Sequence, residues 1–261
     1  MAQVAPLKLE VPGEREFVEA DRAKEFVASW TEQLMNHRQE VSAILNNDAN
    51  ALATVVLCDS IRLSDKSFSD EAAEIVAAFL REPFMGGRSI ASGILFAELD
   101  DMIAGRMTEM GLAVLQTICD AFVDAELVDV NLSDNAIGQQ GIGACNTVLS
   151  MPSLERLSLC NNGLSEATMV EVADILTSES GTGCIASGLT KLHFHNNMSG
   201  EGGCKEFARI LGKSRDLTDI RFSSTRAGEA GSDIVASALD VSLEEGRNAN
   251  LKKLDLCDNS F

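Results

Sequence analysis

The segment Leu154–Asn162 reads LERLSLCNN, and its spacing of residues returns along the chain. It appears as LVDVNLSDN at Leu127–Asn135, LTKLHFHNN at Leu189–Asn197, LTDIRFSST at Leu217–Thr225 and LKKLDLCDN at Leu251–Asn259. All five fit L-x-x-[LIV]-x-[LF]-x-x-N, with Thr225 alone departing at the last position. Two earlier segments fit more loosely, Cys58–Lys66 (CDSIRLSDK) and Ile94–Met102 (ILFAELDDM). The closing positions 66, 102, 135, 162, 197, 225 and 259 lie 36, 33, 27, 35, 28 and 34 residues apart. Recurrence at such a period marks an array of stacked units, each too small to bury its own apolar face.

Within each unit the L-x-L alternation predicts a short strand with both apolar residues turned inward. The closing Asn is expected to satisfy backbone groups where the chain leaves the sheet. A second period follows. Ala72/Ile75/Val76/Phe79, Gly141/Ala144/Cys145/Val148, Met169/Val172/Ala173/Leu176, Cys204/Phe207/Ala208/Leu211 and Gly231/Ile234/Val235/Ala238 recur as i, i+3, i+4, i+7, the stripe of an amphipathic helix. The switch from period 2 to period 3.6 predicts an α/β leucine-rich-repeat solenoid, a ribonuclease-inhibitor-like horseshoe or arc. Its parallel β-sheet lines the concave face and its helices the convex face.

Residues 51–261 form this repeat domain, of about seven units, and residues 1–50 an N-terminal helical cap or extension. The expected helix is Glu14–Leu45, with Phe17, Phe26, Trp30, Leu34, Val41 and Leu45 as its apolar positions. Phe261 follows Asn259 almost directly where other units continue into a helix, so the array is expected to be truncated at its C-terminus. The composition agrees with stacked aliphatic layers: 45% of residues are apolar, 5% are aromatic and Tyr is absent. Seven cysteines without a CxxC pair are expected as reduced thiols of an intracellular protein, with Cys58, Cys145 and Cys204 serving as small core residues. No secretory signal and no 18-residue apolar run is present, which argues against membrane insertion.

The 261 residues carry 21 Lys+Arg against 40 Asp+Glu, a formal charge of −19, which argues against nucleic acid as a partner. Residues 1–50 hold nine acids and five bases, so −15 of that charge belongs to the repeats. The outward positions between and after the inward leucines include Glu98, Asp100, Asp101, Asp134, His193, His195, Asp255 and Asp258. A polar, partly acidic sheet face suits a basic protein partner. Gly212-Lys213-Ser214 resembles the tail of a phosphate-binding loop, but Phe207 stands where that motif needs its first Gly. His193 and His195 share a strand face without a third ligand, which leaves no case for zinc. No catalytic triad or carboxylate pair is apparent.

The stretches Phe194–Gly203 (FHNNMSGEGG), Phe222–Gly228 (FSSTRAG) and Leu251–Phe261 (LKKLDLCDNSF) closely resemble consecutive repeats of the plant-type Ran GTPase-activating proteins. Leu132–Gly138, Leu159–Ser165 and the insertion Ile103-Ala104-Gly105-Arg106 do so too, and the likeness runs in order from about Ile61 to Phe261. The resemblance implies a GTPase activator, not an enzyme with its own active site. It would bind the small GTPase Ran in its GTP form and accelerate hydrolysis in Ran's active site, supporting nucleocytoplasmic transport. It also implies no cofactor of its own, since the partner carries GTP and Mg. The family is understood to work without an arginine finger, using an asparagine that helps to hold Ran's catalytic glutamine. Asn161, in the setting LCNNGL, matches that asparagine best. Asn135 and Asn196 are weaker candidates by repeat equivalence, and Asn162 is read as structural. Arg106 corresponds to an arginine near the family's interface. Glu98, Asp100, Asp101, Asp134, Asp255 and Asp258, with His193 and His195, would meet the partner. Land-plant members carry an N-terminal tryptophan-proline-proline motif. Here Trp30 is followed by Thr31, so a cytoplasmic protein is expected, with nuclear-envelope association left open. The alternative is a non-catalytic repeat scaffold, inhibitor or sensor.

Overall fold

The computed structural model describes residues 5–259 apart from Gly86, Gln140, Ser180 and Thr182. The chain ends, Phe261 among them, lie outside the described residues. The chain divides into two compact units, Met1–Leu127 and Val128–Phe261. Residues up to 50 thereby share a unit with the first two motifs.

The first unit runs β1 (Leu7–Glu10), β2 (Glu16–Val18), α1 (Ala20–Ile44), α2 (Ala49–Ala53), β3 (Cys58–Arg62), β4 (Lys66–Phe68) and α3 (Asp70–Arg81). It continues through β5 (Pro83–Met85), β6 (Arg88–Ser89), β7 (Phe96–Glu98) and α4 (Thr108–Asp120). β3 lies between β1 and β7 and is parallel to both, with Leu9, Ile61 and Ala97 in register and buried. β2 pairs parallel with β4, and β5 pairs antiparallel with β6.

The N-terminal segment was expected to be helical, and it begins with strands. The alternation Leu7, Leu9, Val11 has period 2, and it lines up with Ile61 and Leu63 of the next motif. Helix α1 buries Phe26, Trp30, Leu34 and Val41 as the pattern requires. Phe17 departs from the expected helix: it sits on β2 and is 62% exposed. Trp30 donates its Nε1–H to Glu10 O at 3.1 Å and packs tilted against Phe79 with ring centres 5.5 Å apart, which ties α1 to β1 and α3.

The second unit carries β8 (Asp129–Asn131), α5 (Asn146–Leu149), β9 (Arg156–Ser158), α6 (Glu166–Thr177) and β10 (Lys191–His193). α7 (Gly200–Lys213), β11 (Asp219–Arg221), α8 (Glu229–Glu244) and β12 (Lys253–Asp255) follow. The five strands are parallel and neighbour one another in chain order. Val130, Leu157, Leu192 and Ile220 share a register line and are fully buried. Behind this line Phe207 stacks on Phe222 at 4.2 Å and meets Phe194 edge-on at 5.8 Å. The stripe expected over 141–148 becomes a 3-10 turn, Ile142–Cys145, followed by the short α5. Gly141 and Gly143 there lower helix propensity. The strands alternate with helices in an α/β arrangement consistent with a solenoid-like fold.

The closing asparagines behave as the pattern demands. Asn197 Oδ1 accepts from the N–H groups of Asn162 and Leu164, both at 3.1 Å, and its Nδ2 donates to Leu159 O and Phe194 O, both at 3.0 Å. Asn162 Oδ1 accepts from Asn135 N at 2.8 Å, and Asn259 Oδ1 accepts from Thr225 N at 3.0 Å. Each side chain therefore bridges adjacent units through buried backbone groups. In the first unit the same position holds Lys66, fully buried. Its Nζ donates to Gly13 O and Glu14 O and lies 3.8 Å from Glu16 Oε1.

Replacing Asn197 by Ala strands two buried N–H groups and two carbonyls. The expected loss is about 2–4 kcal/mol of unfolding free energy, read from urea denaturation. Lys66→Ala is expected to cost a similar amount, and a change below about 0.5 kcal/mol in either variant would contradict the bridging role.

Candidate functional site

The residue before each closing position takes a left-handed backbone. φ is +61° at Asp65, +53° at Asp101, +62° at Asp134, +51° at Asn161, +54° at Asn196, +54° at Ser224 and +56° at Asp258. Asn and Asp tolerate this region best among residues with a side chain. Part of the acidity of the sheet face therefore has a backbone cause, independent of any partner. The same geometry turns these side chains away from the core, next to the closing residue, a buried asparagine at 135, 162 and 197.

In the second unit three of them are linked. Asn196 Nδ2 donates to Asn161 Oδ1 at 2.8 Å, and Asn161 Nδ2 donates to Asp134 Oδ1 at 2.6 Å. Asn161 is exposed yet held from both sides, so the orientation of its carboxamide is set by its neighbours. These residues border an open polar groove of about 400 Å³, lined also by Ser133, Ser158, Cys160, His193, His195 and Arg221. Arg221 and Cys160 were not singled out as site residues in the sequence. The signal was present, because both occupy the same outward slots as His193 and His195.

Asn135 does not reach this surface. It is fully buried, its Nδ2 donates to Leu132 O at 2.9 Å, and the position equivalent to Asn161 is Asp134. The expectation from repeat equivalence placed it one residue out of register. Asn161 and Asn196, by contrast, are brought together.

The charged residues are matched across strands. Arg156 Nε donates to Asp129 at 2.8 Å and Arg221 Nε to Asp255 at 2.8 Å. The backbone N–H of Cys257 holds the Asp255 carboxyl below the usual carboxylate range, helped by Ser223 and Arg221. Asp258 accepts from Ser224 Oγ at 3.2 Å. His195 Nδ1 lies 3.0 Å from Ser223 Oγ, and His193 Nε2 lies 2.9 Å from Asp219 Oδ1. Burial lowers the His193 pKa, and the Asp219 carboxylate opposes that shift without cancelling it.

The first unit places Glu98 between Lys8 and Arg62, both at 3.1 Å. Asp100 accepts from Ser64 Oγ at 2.7 Å, and burial pushes its pKa up against that bond. Asp101 pairs with Arg15. Arg106 is anchored, not extended. It donates to Ser67 O at 2.8 Å and to Glu19 Oε1 at 3.1 Å, and its guanidinium lies 5.1 Å from the centre of the Phe17 ring.

Gly212-Lys213-Ser214 ends α7, where carbonyls and not N–H groups face outward, opposite to the need of a phosphate. Cys58 and Cys204 are buried and their thiols are pushed up to about 11, which keeps them protonated and unreactive. No group of three or more His, Cys, Asp or Glu able to hold a metal is present among the described residues. Among the same residues no helix is long and apolar enough to cross a membrane.

No family model matches the chain. It is 37% identical over 100 residues to RAN GTPase-activating protein 1 of Arabidopsis thaliana, a match covering 38% of the chain and 17% of that protein. It is 31% identical over 146 residues to RAN GTPase-activating protein 2 of the same plant, covering 56% of the chain and 22% of that protein. The chain thus spans about a fifth of the length of the curated relatives it matches. Over the matched segments the chain is similar to these two proteins, in keeping with the resemblance carried by the repeat motifs.

The His193 shift fixes the sign of a pH effect. Its folded pKa lies below the ordinary value of 6.5, so the unfolded chain takes up the proton first on acidification. The stability contributed by neutral His193 is present above about pH 6.5 and declines as pH falls from there through the folded pKa. A histidine NMR titration is expected to give His193 a midpoint below 6.5, and His193→Gln is expected to flatten the fall in stability. A midpoint above 6.5 would reverse the sign.

Proposed function

We propose that the chain is a leucine-rich-repeat protein that binds the GTP form of the small GTPase Ran. It accelerates GTP hydrolysis in Ran's own active site, in support of nucleocytoplasmic transport. The observation that carries this reading is the exposed Asn161, pinned between Asp134 and Asn196 beside an open polar groove. Its oxygen keeps one lone pair and its nitrogen one N–H beyond those two bonds. A carboxamide so fixed can hold a partner's glutamine side chain, which in turn orients the attacking water. The order of its two hydrogen bonds removes the freedom to flip, so little entropy is lost on docking. The chain brings no cofactor of its own in this reading; GTP and Mg belong to the partner.

The remaining residues serve docking. Asp134 and Asp258 are exposed and bonded to neutral groups, so they present net charge to a basic surface. Such charges act chiefly on the association rate. Glu98, Asp100, Asp101 and Asp255, together with His193 and His195, complete the partner-facing set. Arg106 steadies Phe17 and Ser67 in the first unit and shapes that surface; it is not aimed outward as a finger.

A second reading, a non-catalytic scaffold, draws on the pairing of Arg62, Arg156 and Arg221 with acids of the same face. With these arginines engaged, the face offers hydrogen bonds and shape, and none of the three is left to reach a transition state.

Catalytic amounts of the protein are expected to speed hydrolysis by GTP-loaded Ran. Asn161→Gly removes the carboxamide while suiting the left-handed backbone, and is expected to reduce that acceleration roughly 100-fold with an unchanged melting curve. Binding without acceleration by the wild type would favour the scaffold. Absence of both would remove Ran from the account.

A further inference from the structure

Of the residues that follow the closing positions in the second unit, two hold a left-handed backbone without being glycine, Ala136 at φ +48° and Arg226 at φ +62°. Strand register makes Ala136, Gly163, Met198 and Arg226 equivalent. Gly163 has φ +65°, a conformation that glycine adopts freely. Arg226 holds φ +62° with a full side chain. A bulky residue is seldom left-handed, and such strain persists where something other than stability retains it.

Nothing within the unit explains the arginine. It is exposed, and among the described residues its side chain makes no hydrogen bond or ion pair. The arginines on the sheet face behave differently, since Arg156 is paired with Asp129 and Arg221 with Asp255. Arg226 is nonetheless rigidly placed. Thr225 beside it is buried and bonded to Asn259 through both its N–H and its hydroxyl, and Gly200 N donates to Thr225 O at 2.9 Å. These positions adjoin the candidate site in the chain. A Cβ on Gly163 would lie 3.6 Å from Met198 Cε, and Gly163 follows Asn161 by two residues. Two strand spacings separate Arg226 from Asn161, about 10 Å along the stack.

We infer that Arg226 is a positioning residue for the partner. It receives a carboxylate on the surface of the docked GTPase and so fixes the register in which Asn161 meets the partner's active site. An unpaired cation beside exposed acids such as Asp134 and Asp258 suits this task. The acids attract a basic surface in many orientations, whereas one inverted charge accepts only the orientation that brings a carboxylate to it. The planar guanidinium adds two-point geometry to that choice. The inference rests on the proposed Ran-directed activity and adds a residue to it.

The test uses the whole chain with GTP-loaded Ran, varying activator concentration. Arg226→Gly relieves the backbone and is expected to raise the melting temperature by about 2 °C. It should also raise the activator concentration for half-maximal stimulation about tenfold, with the maximal rate kept within about twofold. Arg226→Glu is expected to raise that concentration further, by about 50-fold, because it sets like charges against each other. A stabilised Arg226→Gly protein with unchanged half-maximal concentration would overturn the inference while leaving the proposed function intact. A fall in maximal rate at unchanged half-maximal concentration would also overturn it, by placing Arg226 on the nucleotide phosphates. A wild-type protein that neither binds nor stimulates Ran would overturn both.

Discussion

The structure of the second unit depends on a carboxamide placed where four of its five strands, all but the one closed by Thr225, turn out of the sheet. An asparagine has a donor and an acceptor on one short arm, and the turn exposes N–H and carbonyl groups that water does not reach. Asn197 satisfies its own turn and that of the preceding repeat together, and Asn162 satisfies the turn of the repeat before it. Stacking is therefore not only apolar layering; it is a chain of buried polar bridges, each costly to leave half-made. The leucine layers are interchangeable in kind, and the bridge fixes the spacing at which they meet. Lys66 shows how far the rule bends. Its longer arm serves the same end by reaching the carbonyls of Gly13 and Glu14.

That turn also creates the surface on which function is proposed. Holding the closing residue inside forces the one before it into the left-handed region, and so favours Asn and Asp there. The polar, acidic character of the face follows in part from folding. A site could then arise with few changes: an Asn at 161 where a neighbouring unit has Asp134, and an Asn at 196 to hold it. The structural and functional asparagines stand side by side, Asn162 inward and Asn161 outward, separated by one peptide bond and opposite burial. One position further on, Arg226 holds a left-handed backbone where glycine would cost nothing.

Much of this was legible in residue order. Period 2 followed by period 3.6 located every strand of the seven motifs and the helices α3, α6, α7 and α8, because both periods report directly which side chains face the core. Elements without a full motif were less visible. The strand at Leu7–Glu10 offers only Leu7, Leu9 and Val11, too few alternations to stand out beside a 25-residue helix. The helix expected after Gly141 shrank because two glycines weaken it. At the site, the pairing of Asn161 with Asn196 and the displacement of Asn135 were separated by a single residue of register, and side-chain direction at a turn reverses over that distance.

The amino-acid sequence by itself determined the unit: which residues face inward, where each strand ends, that a carboxamide closes it, and that the exposed slots are polar and acidic. These are local consequences of periodicity and backbone preference. The tertiary structure decided which exposed groups are engaged and which are presented. Arg106, Arg221 and Asp255 are bound to partners from neighbouring repeats, Asn161 is held by two neighbours, and the Arg226 side chain makes no hydrogen bond or ion pair among the described residues. Those differences arise between residues about 30 positions apart in the chain, brought within hydrogen-bond distance only when strands take their register, so no local pattern encodes them.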